Sequence, residues 1–210
     1  MRSAWFKAGL VGWGLLLVTL AVLGGVGWGQ WQRLRGEGVA VETLPVLGTV
    51  PDFSFTERSG RTVTLADLRG SVWVADFIFT RCGGPCPTMC AAMAALQRSL
   101  GGAPEVKLVS FSVDPDHDTP EVLARFAARF GASDTQWFFL TGNKSSIWTL
   151  ANNGLKLAVT SDTPGELVHS TKFALVDRAG RIRGYYDGMD PAEQARLLPA
   201  ISALLRESAP

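Results

Sequence analysis

Apolar and polar positions change period several times along the chain, and each change marks a different element. Pro51 to Thr56 alternates, Ser59-Gly60 turns and Thr62 to Leu65 returns, which predicts a hairpin. Val72-Trp73-Val74-Ala75-Asp76-Phe77-Ile78-Phe79 is apolar, β-branched and aromatic, so it reads as a buried strand. From Pro87 the spacing becomes helical, with Met89, Met93, Leu96 and Leu100 on one stripe and Gly101-Gly102 as the stop. Val106 to Val113 is a second buried strand. Thr119-Pro120 then starts a helix carrying Val122, Phe126 and Phe130 to Gly131. Trp137 to Leu140 is a third strand, and Asn143 begins a helix with Ile147, Leu150 and Ala151. Gly165 to Ser170 reads as a polar loop. Phe173 to Asp177 and Ile182 to Tyr186 form a hairpin about Arg178-Ala179-Gly180, and Asp190-Pro191 caps a last helix with Ala195, Leu198, Ile201 and Leu204. Strands alternate with helices early and finish antiparallel, which predicts an α/β fold with a mixed sheet flanked by helices.

The start of the chain follows a different pattern. Ala8 to Gln32 carries no charge, and Gly9 to Val26 is almost wholly apolar or glycine. That is enough to cross a bilayer as a helix, with Trp28 and Trp31 where an interfacial aromatic belt falls. A cleaved signal peptide fits less well, because the run exceeds the usual ~7 to 15 residues and no A-x-A-like site follows. The division expected is therefore a short tail and transmembrane anchor over 1–35, a linker over 36–50 and one folded domain over 51–210. Arg2 and Lys7 precede the span while Arg33 and Arg35 follow it, so charge does not orient it.

Composition narrows the function. A net charge of +1 with no basic cluster gives nucleic acid no electrostatic footing. Three cysteines are too few for a disulfide scaffold, and the odd number leaves one over.

Two of the three stand in Thr80-Arg81-Cys82-Gly83-Gly84-Pro85-Cys86-Pro87, between the first buried strand and the helix. The residue before a proline is pushed out of the α region, so Cys86 is expected to cap the helix with Pro87 at its first position. A sulfur at a helix N-terminus favours thiolate, the form that attacks disulfides and binds soft metals. Cys82, in a flexible Gly-Gly-Pro loop, can approach the same point. A loop of this kind offers no apolar face for burial, and a structural disulfide across so short a span constrains little of the unfolded chain. Redox or metal chemistry is the reading preferred. Cys90, one turn beyond Cys86, and Met89 and Met93 at core spacing are read as packing residues. Asp114, Asp116, His117 and Asp118 are read as a turn and a charged helix start rather than as a hard-metal site.

Four stretches together carry a family resemblance. They are Phe79 through Cys86-Pro87, Ser112-Val113-Asp114-Pro115 through Asp118-Thr119-Pro120, His169-Ser170 before a strand, and Gly180 through Gly188. The element order resembles the thioredoxin-like fold. With Cys82-x-x-x-Cys86-Pro87 and the distant His169, the chain resembles the Sco/SenC family of copper-binding proteins over about Pro51 to Leu205. The resemblance implies that Cys82, Cys86 and His169 are copper ligands, suited to Cu(I) and Cu(II). It also implies a partner, the binuclear copper centre in subunit II of cytochrome c oxidase, and a membrane-anchored domain on the extracytoplasmic side. His117 stands where relatives often have arginine, and Cys90 where an apolar residue is expected. Two functions stay open, a metallochaperone and a thiol-disulfide oxidoreductase that reduces a partner's cysteines with the Cys82–Cys86 pair. Asp76, six residues before Cys82, matches the buried acid that thioredoxins use for proton transfer, and a bend in the strand explains it equally well.

Overall fold

The computed structural model describes residues 43–163 and 166–207. The expected membrane anchor lies outside the described residues, and among those described no helix is long and apolar enough to cross a membrane. The core of the fold is an eight-stranded sheet ordered β1-β10-β9-β4-β5-β6-β2-β3. Its strands are β1 Gly48–Thr49, β2 Ser54–Glu57, β3 Thr62–Thr64, β4 Val72–Ile78, β5 Val106–Ser112, β6 Trp137–Thr141, β9 Lys172–Val176 and β10 Arg181–Asp187. β7 Val159–Thr163 and β8 Glu166–His169 form a separate two-stranded sheet. The helices are α1 Leu65–Leu68, α2 Cys86–Leu100, α3 Pro120–Arg129, α4 Lys144–Thr149, which runs on as a π-helical turn over Leu150–Gly154, and α5 Pro191–Arg206.

β4 sits mid-sheet, parallel to β5 and antiparallel to β9, and all seven of its residues are buried. Alternation sends its side chains to two cores. Val72, Val74 and Ile78 pack with α2, α3 and α5, whereas Trp73, Ala75 and Phe77 pack with Phe55, Leu65, Phe111 and Ile147 on the other face. By the same alternation Asp76 points into the α2 side. Burial on both faces is why β4 reads as a continuous apolar run.

Helix phase differs from the sequence reading in two places. In α3 the buried stripe is Leu123, Phe126 and Ala127 rather than one led by Val122. In α5 it is Leu197, Ala200, Ile201 and Leu204, and Ala195 is exposed. Period alone does not fix phase where small apolar residues flank both sides of a stripe. The polar stretch around His169 is not a loop but the strand β8, paired antiparallel with β7 so that His169 lies opposite Val159. Within the stretch read as linker, β1 pairs with β10, and Arg183 donates to the carbonyls of Leu44 and Pro45.

Candidate metal centre

The three residues that the resemblance singled out meet at the C-terminal end of β4. Cys82 leaves that strand end in a turn, its N–H donating to Phe79 O at 3.2 Å. Cys86 opens α2, and His169 closes β8. One donor atom from each lies within 4.8 Å of the others, the one such His/Cys/Asp/Glu group found among the described residues. Donors bound to one ion at about 2.3 Å in a three-coordinate set stand about 4 Å apart. The farthest pair therefore closes by less than about 1 Å to share an ion.

Cys86 is not placed as its sequence suggested. The helix cap is Pro85, at φ −72° and ψ −27°, and Pro85 O accepts from Met89 N at 3.0 Å. Cys86 is thus the first helical residue and Pro87 the second. A proline in the first turn forfeits no helical hydrogen bond, and this outweighs the bias against a helical residue before it. Helical placement turns the Cys86 sulfur inward, where it joins Ile78, Met89 and Cys90, and the residue is 0% exposed. Burial pushes the thiol well above its ordinary range, and the neighbouring Cys82 sulfur adds to that. The expected gain in thiolate from the helix end is overridden by desolvation. Cys82 by contrast is half-buried, with Gly84 N–H donating to its sulfur at 3.4 Å.

His169 is held so that one nitrogen is committed and the other free. Its Nδ1 lies 3.0 Å from Ser170 O, and because a carbonyl only accepts, Nδ1 carries the proton. Nε2 then presents its lone pair to Cys86 Sγ at 2.8 Å, so the thiol donates to it. Burial lowers the imidazole's pKa and keeps it neutral, with the Ser170 carbonyl opposing. The Phe79 ring stands edge-on to the imidazole at 5.7 Å and fixes its plane. A backbone acceptor on the far nitrogen is the usual support of a metal-binding histidine.

Around the three donors stand groups of two kinds. Cys90 is fully buried in the α2 core and belongs to the packing, with its thiol pushed far up by burial. Met89 and Met93 are also wholly buried. Asp76 is fully buried with neither oxygen partnered, and burial raises its carboxyl to about 7. Ser110, opposite it on β5, draws that value partly back, and its Oγ accepts from Trp137 Nε1 at 3.0 Å.

The acids after β5 do more than make a turn. Asp118 accepts from Thr80 N at 3.0 Å, from Thr80 Oγ1 at 2.5 Å and from Ser112 Oγ at 2.5 Å. Asp114 accepts from Arg81 Nη2 at 2.6 Å. These contacts join the two residues before Cys82 to a segment more than thirty positions away, and no local pattern announces them.

A mixed, thioredoxin-like sheet with two thiols and one neutral imidazole at a strand's C-terminal end defines a soft-metal or dithiol protein. The SCO1/SenC family model matches residues 43–205. The chain belongs to the SCO1/SenC family. Among curated relatives it is 39% identical over 109 residues to the SCO1 protein homolog of Bacillus subtilis (strain 168), a match covering 50% of this chain and 56% of that one. The chain thus spans about half the length of the curated relatives it matches, at 56% and 52%. The fold is similar to a SCO1/SenC family lipoprotein from Bacillus anthracis str. Ames at TM-score 0.73 and 34% identity, covering 77% of this chain and 98% of that one. BsSco, a member of the Sco family of cytochrome c oxidase assembly proteins, superposes at 0.70 with 35% identity, covering 78% and 98%. ScoI of Bradyrhizobium japonicum with copper bound superposes at 0.61 with 25% identity, covering 73% and 99%.

Proposed function

We propose that the protein binds copper through Cys82, Cys86 and His169 and delivers it to a copper protein, the binuclear centre of cytochrome c oxidase subunit II. The observation that carries this reading is the convergence of two sulfurs and one ring nitrogen within 4.8 Å, with the histidine already in the tautomer a metal needs. Two thiolates suit Cu(I) and an imidazole also suits Cu(II), so the set can hold either state of the cargo. The ion takes the place of the thiol protons, and binding therefore strengthens as pH rises. The copper-bound relative and the oxidase-assembly relative support this reading, and the choice of subunit II rests on family resemblance. The apolar run over Gly9 to Val26 supports an N-terminal anchor over 1–35 and a linker over 36–50, and placing the copper domain on the extracytoplasmic side rests on the family resemblance. Anaerobic Cu(I) titration tests the ligand set. Cys82→Ser and Cys86→Ser each abolish Cu(I) retention, whereas His169→Ala weakens it and disturbs Cu(II) most. Wild-type affinity in Cys86→Ser overturns the assignment.

The second reading is a thiol-disulfide oxidoreductase using the Cys82–Cys86 pair with Asp76 as proton relay. What favours it is an unpartnered acid on the face of β4 that carries the Cys86 core. Copper binding makes no demand for such a group.

A further inference from the structure

We infer that Asp118 is the positioning residue for Cys82. Cys86 and His169 are set by regular elements, α2 and β8, but Cys82 is followed by a roomy Gly-Gly stretch whose tie is the long Gly84 N–H bond to its sulfur. A Cβ added at Gly83 would meet no atom within 4 Å, and one at Gly84 only Cys82 Sγ at 3.8 Å. The constraint on Cys82 comes from its N-terminal side, where its own N–H donates to Phe79 O at 3.2 Å and one carboxylate docks Thr80. Asp118 is fully buried and accepts from both the backbone N–H and the hydroxyl of Thr80, two residues before Cys82.

The carboxylate is itself immobilised. Its third bond ties it to Ser112 at the end of β5, its own N–H donates to Asp114 O at 2.9 Å, and Thr119 beside it caps α3 through Val122 N. A buried carboxyl group left without donors is costly, so Thr80 stays docked, and Cys82 is held two residues from a fixed point. The neighbouring Arg81–Asp114 pair adds little to this, because Arg81 is 61% exposed and solvent screens it. The acid therefore governs how closely Cys82 Sγ meets Cys86 Sγ.

This deepens the copper reading, but its test does not use copper. The dithiol is equilibrated with glutathione: Cys82 and Cys86 lose their two protons and join as a disulfide, while one oxidised glutathione takes up those protons and two electrons to become two thiols. The equilibrium constant reads the effective concentration of one sulfur at the other, and small misplacements lower such values by about ten- to a hundredfold. Asp118→Ala lowers it by at least about tenfold, and Thr80→Val, which keeps Asp118 and folds if Asp118→Ala does not, by about fivefold. Ser112→Ala removes a bond to the same carboxylate, and with it the acceptor of Asp114 N–H, but leaves both Thr80 bonds and the Asp118 N–H bond to Asp114 O in place, and it shifts the constant less than twofold. A merely structural role for Asp118 moves the Ser112 and Thr80 variants alike. Equal shifts in those two, or no fall in Thr80→Val, overturn the inference. Cu(I) titration of the wild-type protein is scored separately. Loss of copper binding with the Asp118 and Thr80 shifts intact removes the copper reading and leaves the positioning role standing.

Discussion

Asp76→Asn is the substitution whose effect the structure fixes most tightly. The acid is fully buried on β4, without a hydrogen-bond partner, and its carboxyl is raised from 3.8 to about 7. Between those two values the folded protein holds a proton that the unfolded chain has released. Stability from the protonated acid is therefore complete below about pH 4 and is lost as pH rises through 7. At about 1.4 kcal/mol for each tenfold in proton affinity, the loss reaches about 4 kcal/mol above pH 7. Asparagine keeps the shape and cannot ionise. The stability of Asp76→Asn relative to wild type thus rises by about 1 kcal/mol from pH 4 to pH 5, by about 4 by pH 8, and then levels. Urea unfolding of both reduced proteins from pH 4 to 8.5 reads this difference, in which every other titrating group cancels. The same variant slows exchange with a dithiol substrate and flattens its rate profile between pH 6 and 8, while Cu(I) stoichiometry stays at wild type. A stability difference constant across the range refutes the buried-acid argument, and unaltered exchange kinetics remove the relay from the second reading.

Two further substitutions address the scaffold. Cys90→Ala leaves copper stoichiometry unchanged and costs about 1 to 2 kcal/mol in urea unfolding, as a small truncation in a filled core does; loss of copper would place Cys90 in the site. Arg183, buried on β10, pairs with Asp177 at 2.9 Å and with Glu207 at 2.7 Å and also holds Leu44 and Pro45. Arg183→Met strands those carboxylates and costs about 3 kcal/mol, and limited proteolysis cuts near residues 43–45 first; an unchanged cleavage pattern counts against the clamp.

What the sequence reveals about this site depends on range. β4 and the start of α2 are legible because one is a continuous apolar run and the other is opened by proline, both local signals. His169 is legible only through the family motif, since a lone histidine in a polar stretch carries no local mark. Even the strand that bears it was hidden, because β7 and β8 are short and polar; the Pro164-Gly165 dipeptide between them is a turn signal that points to a hairpin. Burial of Cys86 has no local signature, because it follows from which side of α2 faces β4. Asp118 looked like turn chemistry, and its partner Thr80 lies 38 positions away. Tertiary partners of this kind leave no trace in periodicity.

The two cysteines are unequal, and the inequality bears on both readings. Cys86 is wholly buried and already hydrogen-bonded to His169, whereas Cys82 is half-exposed at the end of a tether. An incoming donor or a partner disulfide reaches Cys82 first. In the delivery reading Cys82 is then the ligand exchanged first, while Cys86 and His169 retain the cargo until the partner is engaged. In the exchange reading Cys82 forms the mixed disulfide and Cys86 resolves it, and the high proton affinity of the buried Cys86 thiol makes that second step the one needing a base. Asp76, on the same side of the sheet and titrating near 7, is a second acid–base group there, beside the His169 Nε2 that already accepts from Cys86 Sγ. The placement that makes Cys86 a poor first nucleophile is the placement that lets it hold a metal out of water.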